Sequence, residues 1–403
     1  MRVPLEDVHA SLVADGVAAD AQTMSAEKVF WSHFCTNCAP VTWVLGALVI
    51  GIGLDFRTGL LALVIGNILG ALPVGLNSLL GPRTGLTQIE ISRFSFGRFG
   101  TRLPATVNWV TAVGWDAVNN VPSVLALVAL VAYFHLTLPF WIGLSVLVAI
   151  QLTASIYGHH VVQVLAKYVC YVLIVVFAIT GVVAILKGGS FVAARAPITP
   201  AMFVLAVSMV AGFDIGFAPY SSDYTRYLPR DTKPATIFAL SFGGLVLSSF
   251  LLELCGLLTA SRLHDLSPAG VIDGIAAMTG PFGPVALVAI AVSAVAINSI
   301  NDNTAAYSLI STGVRIPRHV SAVVTSLCGF ALAVAGAAIF AVVTPLTIAL
   351  FSATEIYTGP VAKLLGGTDI GFFVGFFAAS GAYVLFERRR SAAPAAVDFA
   401  QAS

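Results

Sequence analysis

Long apolar runs, separated by short polar or Gly/Pro-rich stretches, dominate the chain. A run of roughly 20 apolar residues is long enough to cross the hydrocarbon core of a bilayer as an α-helix. Eleven such runs predict spans at 30–54, 59–80, 104–134, 139–157, 161–186, 200–220, 237–260, 284–312, 320–340, 345–365 and 370–386. The pattern therefore predicts an all-α, polytopic membrane protein.

The composition strengthens this prediction and excludes other classes. Hydrophobic residues make up 58% of the chain and charged residues 10%, whereas a soluble domain carries about 25% charged residues. The formal net charge of +1 provides no basic surface for nucleic acid. We expect the lipid bilayer and a small molecule as partners, with no cofactor, no metal and no obligate protein partner.

The ends of the chain and the loops predict an orientation. Residues 1–29 are polar and acidic and are expected to form a cytoplasmic N-terminal tail, followed by a transmembrane domain at 30–387 and a C-terminal tail at 388–403. Basic residues concentrate in cytoplasmic loops. They follow spans two, six and eight here, as Arg83, Arg93, Arg98 and Arg102; Arg226, Arg230 and Lys233; and Arg315 and Arg318. These loops and the N-terminus are expected on the cytoplasmic side of the cell (inner) membrane.

The number of spans stays open between about 10 and 12. The sequence Glu-Arg-Arg-Arg at 387–390 is also basic. Eleven spans would place it outside the cell, and an even number would place it inside.

Two spans carry signals for a broken helix. Span one contains Asn37 and Pro40, and span six contains Gly212, Gly216 and Pro219. Broken backbone is tolerated at membrane depth only where it is buried in protein or lines a cavity. The two spans are five apart, so two five-span repeats would run in opposite directions, a pattern that indicates a midplane substrate and ion site. Alternatively, Gly and Pro are simply frequent in transmembrane helices.

Spans three and eight carry candidate binding residues. Trp115 and Asn119 are four residues apart and share a helical face. A flat apolar ring with an amide beside it suits a planar heterocycle, although an interfacial Trp and an interhelical Asn contact would look the same. Span eight contains a polar group that is costly in lipid and that either lines a cavity or marks the end of the helix: Asn298, Ser299, Asn301, Asp302 and Asn303.

Ionisable residues inside spans are functional candidates by default. They are His33, Asp116, Lys167, Asp214, Glu253 and Glu355. Asp116 and Asp214 lie inside the site segments and are candidates for cation binding or proton relay, whereas Glu253 is expected to make a structural contact. Ala39 and Ser293 are further candidates for the cation. The pair Cys35 and Cys38 lacks the second Cys or His pair of a zinc site and is expected to be buried as small hydrophobic groups.

At these residues the chain resembles the nucleobase:cation symporter-1 family, especially its purine–cytosine permease branch. The segments 81–86 and 92–97 are similar to the family's loop after span two, and 222–229 is similar to its loop after span six. The segment around Trp115 is similar to its third span. The resemblance covers most of residues 28–315.

The resemblance implies a LeuT-type fold of inverted five-helix repeats. It implies that the substrate stacks on Trp115. It also implies further substrate contacts at Asn37, Asn119, Phe213, Gly216, Asn298 and Asn301.

The function expected is import of a cytosine- or purine-like nucleobase by cation symport through alternating access, with H⁺ or Na⁺ as the cation. Three alternatives remain open. The first is a transporter of another ring compound, such as allantoin, a hydantoin or a vitamin pyrimidine. The second is a transport-incompetent, shortened homologue or a substrate sensor. The third is a membrane enzyme, for which the sequence offers only isolated carboxylates and scattered His.

Overall fold

The computed structural model of the chain describes residues 16–350 apart from 158, 187–196, 261 and 264–267. The first half of the expected N-terminal tail, the expected C-terminal tail, the run at 370–386 and Glu355 lie outside the described residues, as does the side chain of Lys167. Every regular element in the described part of the chain is a helix. The α-helices are α1 (Glu27–Thr36), α2 (Pro40–Gly51), α3 (Phe56–Asn77), α4 (Gly81–Thr84), α5 (Gln88–Gly100), α6 (Arg102–Ala132), α7 (Phe140–Tyr157), α8 (His159–Leu186), α9 (Pro200–Ile215), α10 (Ser221–Thr225), α11 (Pro234–Ala260), α12 (Pro268–Met278), α13 (Gly283–Ser311) and α14 (Arg318–Leu350).

Helices correspond to each of the first nine predicted spans. Within the described residues, six helical segments are long and apolar enough to cross a membrane, and α1 with α2 adds a seventh when the bent pair counts as one span. Shorter apolar segments in α7 and α14 correspond to predicted spans four and nine. Helix α14 continues to Leu350 and so runs through 341–344, where the sequence predicts a boundary between two runs. The rest of the predicted span at 345–365 lies outside the described residues.

The starts of these helices follow ordinary capping chemistry. The carboxylate of Asp55 accepts a hydrogen bond from the Thr58 amide at 2.7 Å, and this bond lowers the pKa of Asp55. Thr199 caps α9 in the same way, with Pro200 in the first turn. In the loop after α3, Thr87 and Glu90 form a capping box at the start of α5.

Both predicted breaks are present. Helix α1 ends at Thr36, α2 begins at Pro40, and their axes differ by 57°. Ala39 is extended, as expected for a residue before proline. Helix α9 ends at Ile215 and is followed by a short 3₁₀ segment, Ala218–Tyr220, before α10. Regular helix is therefore interrupted at both positions.

The helices form two groups. Helices α1, α2, α3, α9 and α11 pack together, and α6, α7, α13 and α14 form a second group. Glycines allow close approach within the first group, because a Cβ at Gly46 would overlap the Glu253 carbonyl and one at Gly256 would overlap the Trp43 carbonyl. Small residues at helix interfaces are typical of membrane proteins.

The loops that carry the family resemblance meet at one end of the first group. The Thr225 hydroxyl donates to the Ser78 carbonyl at 2.8 Å, and the Asp223 carboxylate accepts from the backbone N–H of Gln88 at 2.9 Å. Part of the expected N-terminal tail is packed here, since the Gln22 amide donates to the Pro82 carbonyl at 3.0 Å. Residues 16–26 are therefore attached to these loops.

Candidate substrate and cation site

A cavity lies between the two helix groups at the breaks. Its lining comes from both broken spans and from α6 and α13: Thr36, Asn37, Ala39, Val41, Trp115, Asn119, Phe213, Gly216, Phe217, Tyr220, Ile297, Ile300 and Asn301. Apolar side chains form most of the wall, and a few polar groups can fix the orientation of a ligand.

Aromatic rings form one wall of this cavity. Trp115 is half-buried and meets Phe213 edge to face, with ring centroids 5.4 Å apart and an interplanar angle of 82°. Gly216 keeps the space beside the indole open, because a Cβ there would lie 3.8 Å from Trp115 Nε1. The indole face can therefore receive a flat ring by stacking.

Amide side chains provide the polar edge. The Asn119 amide donates to Asn298 Oδ1 at 2.9 Å. Asn298 Nδ2 donates to the Asp116 carbonyl at 3.1 Å. Asn298 is fully buried and is absent from the cavity lining, so of these two it is Asn119 that faces the cavity. Asn298 instead holds Asn119 in place.

Asn301 connects the cavity to a buried carboxyl. Its Nδ2 donates to Asp116 Oδ1 at 2.7 Å, and its Oδ1 accepts from the Tyr220 hydroxyl at 2.7 Å. Tyr220 lines the cavity and was missed from the sequence, where only its position after Pro219 in the break gave a signal. A ligand that breaks one of these two hydrogen bonds of Asn301 would also disturb the other bond.

Behind Asn301, a second carboxyl lies against Asp116. Asp302 Oδ2 accepts from Gln151 at 2.9 Å, from Ser155 at 2.9 Å and from Ser326 at 2.6 Å. The Gln151 amide nitrogen lies within hydrogen-bond reach of both carboxyl groups, 2.9 Å from Asp302 Oδ2 and 3.5 Å from Asp116 Oδ2. Gln151 therefore connects the two carboxyl groups.

The other charged candidate, Asp214, lies in the first helix group. Its Oδ1 accepts from Asn37 at 2.9 Å and from the Ser249 hydroxyl at 2.6 Å. Asn37 lines the cavity, but Asp214 lies behind the lining. The predicted break residues Asn37 and Asp214 are thus in direct contact, although 177 positions separate them in sequence.

The two remaining cation candidates, Ala39 and Ser293, lie in different surroundings. Ala39 lines the cavity at the start of α2. Ser293 is buried outside the lining, where its hydroxyl donates to the Ile290 carbonyl at 2.6 Å and lies 3.4 Å from that of Ser123. The cavity therefore contains seven of the predicted residues: Asn37, Ala39, Trp115, Asn119, Phe213, Gly216 and Asn301.

Two broken spans around a central, mostly apolar cavity define a polytopic membrane protein of the transporter class. The chain belongs to the family of permeases for cytosine/purines, uracil, thiamine and allantoin, whose family model matches residues 17–362. The resemblance to nucleobase:cation symporters is thereby confirmed, and the members of this family are permeases rather than enzymes.

Individual relatives are similar over part of their length. YxlA of Bacillus subtilis, a candidate purine-cytosine permease, is 28% identical over 68% of this chain and 59% of its own length. Purine-cytosine permease FCY2 of Saccharomyces cerevisiae is 27% identical over 63% of this chain and 48% of its own. Vitamin B6 transporter TPN1 of S. cerevisiae is 27% identical over 71% of this chain and 52% of its own length. The chain thus spans about half the length of these relatives.

Among solved structures, the chain is similar to Mhp1, a nucleobase-cation-symport-1 family transporter, in a closed conformation with bromovinylhydantoin bound. The TM-score is 0.69, with 16% identity over 80% of this chain and 75% of that one. This similarity confirms the predicted fold class of inverted helical repeats.

Proposed function

We propose that the protein imports a nucleobase-like ring compound by cation symport through alternating access. One observation carries the proposal: a cavity at two helix breaks offers the Trp115 face for stacking and the Asn119 and Asn301 amides for the ring's polar edge. A planar heterocycle has an apolar face and donor and acceptor groups in its plane. The cavity matches both.

Each candidate residue takes a role in this proposal. Trp115 and Phe213 hold the ring, Gly216 leaves room for it, and Asn37, Asn119 and Asn301 bind its edge. Asn298 acts from behind by positioning Asn119.

The cation is H⁺ or Na⁺ in this proposal. A proton has carboxyl sites at Asp116 and Asp214, both fully buried. Sodium requires oxygen ligands, for which the backbone at Ala39 and the Ser293 hydroxyl are the candidates.

The orientation is also part of the proposal. The basic residues after predicted spans two, six and eight support a cytoplasmic position for these loops. Because residues 16–26 pack on two of the loops, the N-terminus would lie on the same side of the cell (inner) membrane.

The test is uptake of labelled cytosine, adenine, hypoxanthine, uracil, allantoin and pyridoxine by bacteria that lack their own carriers for these compounds. Uptake is measured with and without Na⁺ and with a proton uncoupler. We expect saturable uptake of one ring compound that depends on one cation gradient. Absence of uptake and of binding for every ring compound, with the protein present in the membrane, would contradict the proposal.

A second candidate substrate is a vitamin ring instead of a nucleobase. Stacking on Trp115 is tolerant of ring identity, and one relative is a vitamin B6 transporter. Pyridoxine in the panel distinguishes the two candidates.

A further inference from the structure

A cluster of two amide–carboxyl pairs lies in the core of the first helix group. Asn37 Nδ2 donates to Asp214 Oδ1 at 2.9 Å. Asn67 Nδ2 donates to Glu253 Oε2 at 2.6 Å. All four side chains are at most 1% exposed. Asn67 and Glu253 have no part in the cavity lining.

In both pairs, the equivalent oxygen atoms lack a hydrogen-bond donor. In each pair, the amide carbonyl and the second carboxyl oxygen have no hydrogen-bond partner among the described residues: Asn37 Oδ1, Asp214 Oδ2, Asn67 Oδ1 and Glu253 Oε1. Buried acceptors are rarely left without a donor, and each costs about 1–3 kcal/mol. All four atoms are acceptors, so what the cluster lacks is a positive charge or a hydrogen.

One proton on each carboxyl supplies what both pairs lack. A carboxylic acid has one donor and one acceptor, and so does the amide edge that faces it. The acid O–H can donate to the amide carbonyl while the amide N–H donates to the acid carbonyl. Two protons would therefore satisfy all four oxygens, without any other ligand.

The charges around the cluster favour the same conclusion. No basic side chain in the described chain pairs with Asp214 or Glu253, whose hydrogen-bond partners are the Asn37 and Asn67 amides and the Ser249 hydroxyl. Two unpaired anions at membrane depth are costly. Among the described side chains of the surrounding elements, the other titratable groups are Glu27, Lys28, His33 and Cys35 on α1, Cys38 at the break, Arg57 on α3, Cys255 on α11, and Tyr168, Cys170 and Tyr171 on α8.

His33 has hydrogen-bond partners other than these carboxyls. Its Nδ1 lies 2.9 Å from the Val29 carbonyl, and its Nε2 lies 3.5 Å from the Ser78 hydroxyl. Both ring nitrogens therefore bond to groups other than Asp214 and Glu253.

The two pairs are parts of one unit. Ser249, which donates to Asp214, is one helical turn from Glu253 on α11. On α3, Asn67 is one turn from Gly70, where a Cβ would lie 2.8 Å from Asp214 Cβ. Helices α3 and α11, which carry Asn67 and Glu253, thus also approach Asp214 closely.

We propose that Asp214 and Glu253, with Asn37 and Asn67, form the proton-binding site that couples transport. This inference rests on the proposed symport: it selects the proton as the cation and adds Glu253 and Asn67 to the machinery. A proton from water forms an O–H bond on the carboxyl when the site is open to one side of the membrane. That bond breaks, and the proton returns to water, when the site is open to the other side.

The connection to the substrate runs through Asn37. Asn37 lines the cavity and bonds Asp214, which lies between the lining residues Phe213 and Gly216 in sequence. Loss of the proton would leave the Asn37 carbonyl without its donor and favour another arrangement of both breaks. Substrate and proton would then prefer the same conformation, as symport requires.

The experiment is infrared spectroscopy of the full chain in lipid nanodiscs over a range of pH, which detects the C=O stretch of protonated carboxyl groups without any substrate. At near-neutral pH we expect loss of one protonated-carboxyl contribution in Asp214→Asn and of another in Glu253→Gln. Asn67→Ser keeps the Glu253 carboxyl and should shift its band. Ser248→Ala, a buried neighbour on α11 that bonds only the Leu245 carbonyl, is the matched control and should leave the spectrum unchanged.

Two results would overturn the proposal. One is a protonated-carboxyl spectrum identical in the parent, Asp214→Asn and Glu253→Gln at every pH. The other is stabilisation of the parent against heat by NaCl relative to choline chloride, with that effect lost in Glu253→Gln, which would make the ligand Na⁺.

The spectra and the uptake assay fail independently. If Asp214 and Glu253 are protonated but the chain transports no ring compound, the proton site is supported and the proposed symport is contradicted. Ionised carboxyls in a chain with saturable symport would remove the proton site and keep the transporter.

Discussion

At Trp115, one indole ring provides the proposed binding surface for a flat ligand. Stacking of a base on an aromatic side chain is worth about 1–3 kcal/mol. We therefore expect Trp115→Ala to weaken binding of the transported ring compound by that amount, and Trp115→Phe to retain most of the affinity. Equilibrium binding to purified protein measures this. Unchanged affinity in Trp115→Ala, with normal expression, would place the ring elsewhere.

Asn119 and Asn298 act as one unit, because they are joined by a hydrogen bond of 2.9 Å. Each single change to Ala leaves a buried polar group unsatisfied and should cost about 1–3 kcal/mol of binding free energy. In a double-mutant cycle, the cost of the double variant should be clearly less than the sum of the single costs. Additive losses would show that the two amides contribute to binding independently.

Residue types in the sequence indicated the cavity wall better than the groups behind it. Asn37, Trp115 and Phe213 could be predicted because breaks and aromatic residues are visible within one span. The partner of Glu253 could not be predicted, because Asn67 lies 186 positions away and the sequence around it gives no signal of this contact. The sequence shows an amide at Asn298 on α13 but not its hydrogen bond to Asn119, and the substrate contact of Asn298 stays a prediction.

At the scale of elements, the contact between α2 and α11 depends on glycine. A Cβ at Gly256 would overlap the Trp43 carbonyl, whereas one at Gly243 on the same helix meets nothing within 4 Å. Gly256→Ala should therefore separate the helices and lower the melting temperature in detergent. Gly243→Ala is the matched control and should not lower it, because Ala is the better helix former. Equal melting temperatures for the two variants would contradict the close packing.

At the scale of the whole molecule, the inverted repeat explains which helices share polar contacts. Spans five apart in the chain are joined in the core by side-chain hydrogen bonds. The joined pairs are Asn37–Asp214, Asn67–Glu253, Asn119–Asn298 and Gln151–Ser326. The offset of five was predictable from the two breaks. The pairing of the other spans was not, because an inverted repeat brings equivalent helices together only once the chain has folded.

The end of the molecule that carries the loops holds the two helix groups together through Asp223. Its Oδ1 accepts from the backbone N–H of Gln88 at 2.9 Å. Its Oδ2 accepts from the hydroxyl of Thr304, which lies on α13 of the second group, at 2.8 Å. In the proposed alternating access, opening of the cavity at this end would break the bond to Thr304, and bonds to a charged group are worth about 1.5–3 kcal/mol.

Asp223→Ala should therefore raise amide hydrogen exchange in α5 and α10 by about tenfold or more, since exchange reports the free energy of local opening. Asp231→Ala changes an exposed carboxylate in the following loop and should leave both helices as protected as in the parent. Thr304→Ala removes one of the two contacts and should have an intermediate effect. Equal exchange in Asp223→Ala and Asp231→Ala would mean that the helix groups are held together at this end by packing alone, and that opening here does not depend on the Asp223 bonds.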